Sequence, residues 1–360
     1  ILECVNQFAP NESERAYISK KLALLEEELA IPELAARDRR LREQQSLRYE
    51  LLAFDTGESM QQLADRLGHH SDLSQLFARQ EATQSSEDWG QLDWNRNRKA
   101  IHPISLLARE LAVKTPICLE SLGLVEIRYP GLESLLPPPQ LAHLSTVRAR
   151  EGFAAVWGEF LASLCDTLRK ERAITVTEEF DGEGSIPVGK WVSERRRGAA
   201  LGSFIGSLEG DREASRNRLV RHSLVELGVA AAELQKNLDI VLESAFKQLL
   251  DGARNGQLPF LEFDRRQAAK GQPVDALRIK FRELYVSVSR NWFQCRVTGR
   301  VWPRSVFGCV PDSTGRTELS RVSRNELYQQ PRYARLRNLY ERDPVMQERL
   351  WADEHSAQLA

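Results

Sequence analysis

No G-x-x-x-x-G-K-[ST] pattern opens a helix anywhere in the 360 residues, which excludes a P-loop. Gly189-Lys190 matches the last two positions of such a loop, but Trp191 stands where a magnesium-binding hydroxyl is required. Nor do the carboxylates, histidines and serines form a triad, a dyad or an H-E-x-x-H arrangement, so an independent enzyme has no legible centre. The five cysteines, at positions 4, 118, 165, 295 and 309, make no disulfide framework, which suits a reducing cytosol. A transmembrane run and a signal peptide are both lacking, so no membrane partner is expected. The net charge of -1 hides 50 basic and 51 acidic residues; a nucleic-acid surface must therefore be local and cannot be read from the isoelectric point.

What the chain has is a length and a hydrophobic fraction of 42% that suit two or three cores, and one segment that combines strand periodicity, a tight turn and spaced cysteines. In FRELYVSVSRNWFQCRVTGRVWPRSVFGCVP, Tyr285, Val286, Val288 and Phe293 alternate with small polar residues, and Thr298-Gly299 turns the chain into Val301-Trp302. The spacing predicts a β-hairpin with Cys295 at its first shoulder and Cys309 past its second arm. A zinc ribbon closes its tetrahedral site with C-x-x-C on each of two knuckles. Here Thr298 and Asp312 occupy the second position of each pair, leaving Cys295 and Cys309 as the only candidate ligands. The segment is either a ribbon that has lost half its ligands or a metal-free hairpin with two small buried thiols.

The remainder reads as mainly helical. Asn11 to Arg48 carries a capping box and an apolar stripe broken by Pro32, and MQQLADRL is a short amphipathic helix. A polar run from 80 to 93 is a candidate linker, Leu124 to Tyr129 alternates like a strand, either in a winged-helix-like order or at a domain seam, and Pro137-Pro138-Pro139 marks a second linker. Phe153 to Leu168 and Leu224 to Leu250 are amphipathic helices, the second the expected spine of its domain. Arg195, Arg196, Arg197, Arg216 and Arg218 fit either phosphate contact or a salt-bridged helix surface. Further on, Arg332, Tyr333 and Arg335 interleave cations with an aromatic ring, as a strand-tracking surface would, or else the tyrosines pack inward along an amphipathic helix.

WFQCRVTGRVWP, then RYARLRNLYERD, and finally ADEHSAQLA resemble large bacterial superfamily-2 DEAD/DEAH-box helicases that carry a C-terminal zinc-binding domain of unknown function, among them the helicase subunits of Druantia-type anti-phage defence. The resemblance implies that Cys295 and Cys309 match metal positions, with zinc as the metal. It implies also that Glu354, His355 and Gln358 match an EHTAQL-like helicase motif, with Ser356 in place of Thr. The parent protein would bind ATP and Mg, while this chain would hold no cofactor of its own and leave nucleoside triphosphates untouched. Its partners would be DNA or RNA and the remaining helicase domains of the same parent chain. The expected fold is α+β and predominantly helical: a helical region over 1–93, a helix-strand element over 94–140, a helical domain over 141–280, a ribbon-like hairpin over 281–315 and a helical lead-in to a second RecA-like half over 316–360. The opening Ile1 and the close at Ala360 read as the ends of a piece of a longer protein. A non-enzymatic helical scaffold for protein partners is the other reading, since stripes with balanced charge serve both.

Overall fold

The computed structural model describes residues 16–17, 19–24, 57–69, 103–104, 107–108, 110–112, 118–176, 189–195, 201–206, 214–267, 273–288, 291–311, 318–331 and 333–334. Within them the fold is α+β. The short strand β1 (Glu58–Ser59) leads into α1 (Met60–His69), where Met60, Leu63, Ala64 and Leu67 recur at three and four and are all buried. Strand β2 (Glu126–Arg128) precedes α2 (Val147–Ala155), which begins where the Thr146 hydroxyl accepts the Ala149 N–H at 3.1 Å. Helix α3 (Trp157–Lys170) buries Trp157, Phe160, Leu161, Leu164, Cys165 and Leu168 along one face.

Strands β3 (Ile174–Thr175), β4 (Val192–Arg195) and β5 (Gly202–Ile205) come before α4 (Ser215–Glu226) and α5 (Leu234–Arg254). Strands β6 (Leu261–Gln267) and β7 (Pro273–Lys280) complete a five-stranded sheet around β7. Because a strand has two edges, and β6 pairs along the whole of one from Leu261↔Ile279 to Gln267↔Pro273, β3 and β4 must follow one another along the other. Helix α5 lies against β5 and β6, with Leu238, Val241, Leu242, Ala245, Phe246 and Leu249 turned inward.

Strand β8 (Tyr285–Ser287) joins β1 and β2 in a small sheet, and β9 (Asn291–Cys295) lies between β10 (Val301–Trp302) and β11 (Leu319–Ser323) in another. Helix α6 (Arg324–Gln329) follows β11 behind a capping box in which Ser323 and Glu326 bond each other's backbone.

The hairpin forms as its spacing predicts, β9 to β10 through the turn at 296–300, but Tyr285–Ser287 belongs to a different sheet. Four further expectations change. Strands β4 to β7 occupy the range read as helical; their alternate positions carry Ser193, Asp264, Arg266 and Asp275, which mask the apolar set. The helix expected from Leu224 to Leu250 is two helices, because Gly228 takes φ +77 and terminates α4, with Val229 N–H returned to Leu224 O at 3.0 Å. Strand β2 pairs with β8 rather than with a hairpin partner of its own, as a wing would. The ribbon extends past residue 315, since β11 supplies its third strand.

One apolar core runs from Met60 through Leu132, Phe160, Phe246 and Phe281 to Cys309, crossing the expected boundaries at 140 and 280. Of the expected helix over Asn11 to Arg48, residues 16–17 and 19–24 are helical and the rest lies outside the described residues. Among the described residues no helix is long and apolar enough to cross a membrane.

Two glycines separate conformational strain from steric exclusion. A Cβ on Gly228 would meet nothing within 4 Å, whereas on Gly57, at φ +89, it would lie 2.3 Å from the Val286 carbonyl oxygen, a backbone atom that cannot swing aside. Gly228→Ala should cost about 1–2 kcal/mol in urea unfolding, from the left-handed backbone alone. Gly57→Ala should cost clearly more and loosen the β1–β8 pairing, seen as faster amide exchange at Tyr285 and Val286; equal losses in the two variants would contradict the packing described.

Candidate nucleic-acid interface

The ribbon is fixed to the body by buried charge. Arg169, fully buried on α3, donates from Nη2 to both Glu120 carboxylate oxygens at 2.8 and 2.9 Å and to Asp166 Oδ1 at 3.1 Å, and from Nε to the Tyr129 hydroxyl at 3.1 Å. The Tyr129 hydroxyl in turn donates to Asp166 Oδ1 at 2.8 Å. Arg304, from the segment after β10, donates to Asp166 Oδ2 at 2.5 Å and to the Ile127 carbonyl at 2.6 Å, with its guanidinium 5.7 Å from the centre of the Tyr129 ring. Lys170 completes the set at 3.3 Å from Glu120. Arg169 Nη1 has no hydrogen-bond partner among the described residues, so the desolvation of this guanidinium is only partly offset.

Electrostatics follow from that arrangement. Burial pushes the Asp166 carboxyl up, but the Arg304 and Arg169 guanidiniums outweigh it and hold the group down, at about 2. Burial and the Asp166 charge push the Tyr129 phenol well up, so it stays protonated and can donate. Burial likewise raises the Cys165 thiol, which keeps it out of nucleophilic chemistry. Phe307 adds an apolar contact between ribbon and body: in the Val306–Cys309 turn it takes φ 51 and meets Phe153 of α2 edge-on at 5.4 Å.

Outside the body, the β9–β10 turn exposes Arg296, Val297, Thr298 and Arg300, with Val297 83% exposed. Arg321 is exposed on β11, opposite Phe293. Among the described residues no ion pair compensates Arg296, Arg300 or Arg321; the Glu318 carbonyl accepts the Arg296 N–H at 3.0 Å, and the Glu326 carboxylate is engaged in capping α6. Basic residues of β6 and β7 are spent differently. Arg278 pairs with Glu262 at 2.7 Å and Arg266 with Asp264 at 2.9 Å, both guanidiniums lying 4.4 Å from the Trp191 ring centre.

The arginines singled out in the sequence do not form one surface. Arg195 is exposed at the end of β4 and paired to Glu243 at 2.6 Å and Asp239 at 3.4 Å. Arg216 is inside, and its reading as a phosphate contact is corrected. Its guanidinium bonds the Ser203 and Phe204 carbonyls at 2.9 and 3.1 Å, the Thr167 hydroxyl at 3.1 Å and Glu171 at 2.9 Å, and so tethers β5 to α3 and α4. Arg218 is half-buried, with Nε unpartnered among the described residues. Tyr333 packs inward, 4% exposed, with its hydroxyl donating to Gly299 O at 2.6 Å, which leaves no ring face for a base. Arg196, Arg197, Arg332, Arg335, Glu354, His355 and Gln358 lie outside the described residues.

Cys295 keeps a knuckle geometry without the second thiolate. Its Sγ accepts the Thr298 N–H at 3.3 Å, and hydrogen bonding from Thr298 holds the thiol below its ordinary value. Cys309 sits in the main core with Sγ turned to the Phe307 carbonyl at 3.8 Å, whereas Cys295 belongs to a separate cluster with Trp302 and Val310. Cys295 and Cys309 thus pack in separate clusters, and among the described residues no three His, Cys, Asp or Glu side chains gather as metal ligands. Set against protein-family models, curated proteins and solved structures, the chain matches none.

Sequence reasoning did not find Asp166, Arg169 and Arg304, which lie up to 138 positions apart and meet only through the fold. Arg296, Arg300 and Arg321 were visible as letters, but only the β9–β11 register brings them to one small sheet. Replacing Asp166 by Asn should cost about 3 kcal/mol or more in urea unfolding, because the buried Arg169 and the half-buried Arg304 are left beside a neutral amide. The carboxyl is depressed in the folded chain, so its stabilisation is full above the unfolded value of about 4 and is lost as pH falls toward about 2. Wild type should therefore lose stability across that window more steeply than Asp166→Asn; parallel profiles would contradict the ion pair.

Proposed function

We propose that this chain is an accessory region of a large ATP-dependent superfamily-2 helicase that holds nucleic acid between the motor halves and has no fuel site of its own. The observation that supports this reading is the contrast in the fate of its arginines. In the body Arg169, Arg195, Arg216, Arg266 and Arg278 pair with carboxylates, while Arg296, Arg300 and Arg321 stand exposed, without an ion pair among the described residues, on a ribbon that Arg304 ties to α3. Phosphates are the polyanion such a cluster suits, and a rigid mount is what coupling of substrate position to a motor requires. In this reading the chain beyond the ribbon, with Glu354, His355 and Gln358, leads into the second RecA-like half, and ATP and Mg are held elsewhere in the parent protein.

One observation favours the scaffold reading. Val147 and Val225 are 59% and 50% exposed near helix ends that meet where the Thr146 hydroxyl donates to the Leu227 carbonyl, and a protein partner could cover them. Salt separates the two. On a fluorescent single strand, the logarithm of the binding constant should fall with the logarithm of salt concentration with a slope of about -2 for three phosphate contacts, and Arg296→Gln with Arg300→Gln should reduce it by about 1.4. Binding that is insensitive to salt, or a double variant with the wild-type slope, would overturn the proposal. ATP should remain unhydrolysed by the purified chain in the same buffers.

A further inference from the structure

The two faces of the ribbon sheet differ in what covers them. Residues opposite one another in an antiparallel pair share a face. Trp292 lies opposite Val322, and Gln294 opposite Val301 and Ser320; this face is closed by Leu327 and Tyr333. Phe293 lies opposite both Trp302 and Arg321, and Cys295 opposite Leu319, on the other face. Val310 closes that second face only over Cys295, Trp302 and Leu319. Phe293 belongs to neither cluster and is half-buried in the middle strand, with exposed Arg321 beside it on β11. Arg300 continues the same face beyond Trp302, because its carbonyl accepts the Cys295 N–H at 2.9 Å.

We infer that this face is a stacking platform for the bases of a single-stranded nucleic acid, with Phe293 under a base and Arg321 and Arg300 on the flanking phosphates. The inference rests on the nucleic-acid reading above and narrows it to the single strand. A duplex hides the faces of its bases within the stack, so a ring set in a sheet gains nothing from it; an unpaired base offers the π-face that the ring can cover. Charge decides the rest. The cations flanking the ring have no carboxylate of their own among the described residues, and the two strand spacings between Arg300 and Arg321 put them about 10 Å apart laterally across β9. An acidic peptide would meet the guanidiniums but leave the ring against its polar backbone. A single strand meets both demands with one repeating unit, and because stacking is indifferent to base identity the face should be tolerant of sequence.

Fluorescence anisotropy on the full 360-residue chain tests this, with an oligothymidylate of about 20 nucleotides and a duplex of the same length as probes. Phe293→Leu should weaken the single strand by about 5- to 100-fold while changing duplex affinity little, and should leave the salt slope unchanged. Phe293→Tyr should restore the affinity, which a merely packing role at this position would not require. Arg321→Gln should instead reduce the single-strand salt slope by about 0.7. If wild type binds but Phe293→Leu is neutral, or weakens both probes equally, the platform is wrong and the broader reading stands. If wild type binds neither probe, both fall. Polyglutamate competing as well as the oligonucleotide would assign the face to acidic protein segments and overturn the inference.

Discussion

A single carboxylate, Asp166, holds this structure in register. It lies between two guanidiniums brought from distant parts of the chain, Arg169 from its own helix and Arg304 from the ribbon, with the Tyr129 hydroxyl donating to one of its oxygens. Taking ions out of water costs several kcal/mol per group. The arrangement persists because nearly every donor aimed at it finds an acceptor, including Glu120 behind Arg169 and the Ile127 carbonyl behind Arg304. An apolar substitute for the whole set could match its stability, but it would not fix three segments at one angle as directional bonds do. The ribbon is therefore tied through Arg304 to α3 and β2.

The same logic sorts the chain's arginines. Arg169, Arg216 and Arg304 are framework, each bonded to carboxylates, hydroxyls or main-chain carbonyls of neighbouring elements. Arg195 and Arg266 are surface cations tied to nearby acids, and the buried Arg278 is tied to Glu262. Those of the ribbon remain charged and available, next to an aromatic ring in the central strand. A chain with a net charge of -1 can thus present a local cationic surface, which its overall balance conceals.

How much of this was legible in the letters depends on how far apart the cooperating residues lie. The β9–β10 hairpin was readable because its Thr-Gly turn and two arms sit within a dozen residues, whereas the alternation at Tyr285–Ser287 belongs to the β8 sheet. The stripes of α3 and α5 were readable for the same reason. Strands β6 and β7 were not, since LEFDRRQ and PVDALRIK carry charges at positions that tertiary pairing tolerates and local periodicity discounts. The long helix was over-read: its leucine spacing continues across Gly228, where the backbone ends it. Arg216 looked like a phosphate ligand because composition reports charge and cannot report burial. The knuckle of Cys295 was recognisable, but its lack of a partner thiol across the sheet became plain only when Cys309 was seen packed in a different core.

Arginine-selective modification with phenylglyoxal, mapped by mass spectrometry with and without a single-stranded oligonucleotide, tests the central claim most directly. In the native chain Arg296, Arg300 and Arg321 should react and be protected by the oligonucleotide, while Arg169, Arg216 and Arg304 stay unmodified until the chain is unfolded. Ready modification of Arg169 or Arg304 in the native chain, or ribbon arginines whose reactivity the oligonucleotide does not change, would contradict the account.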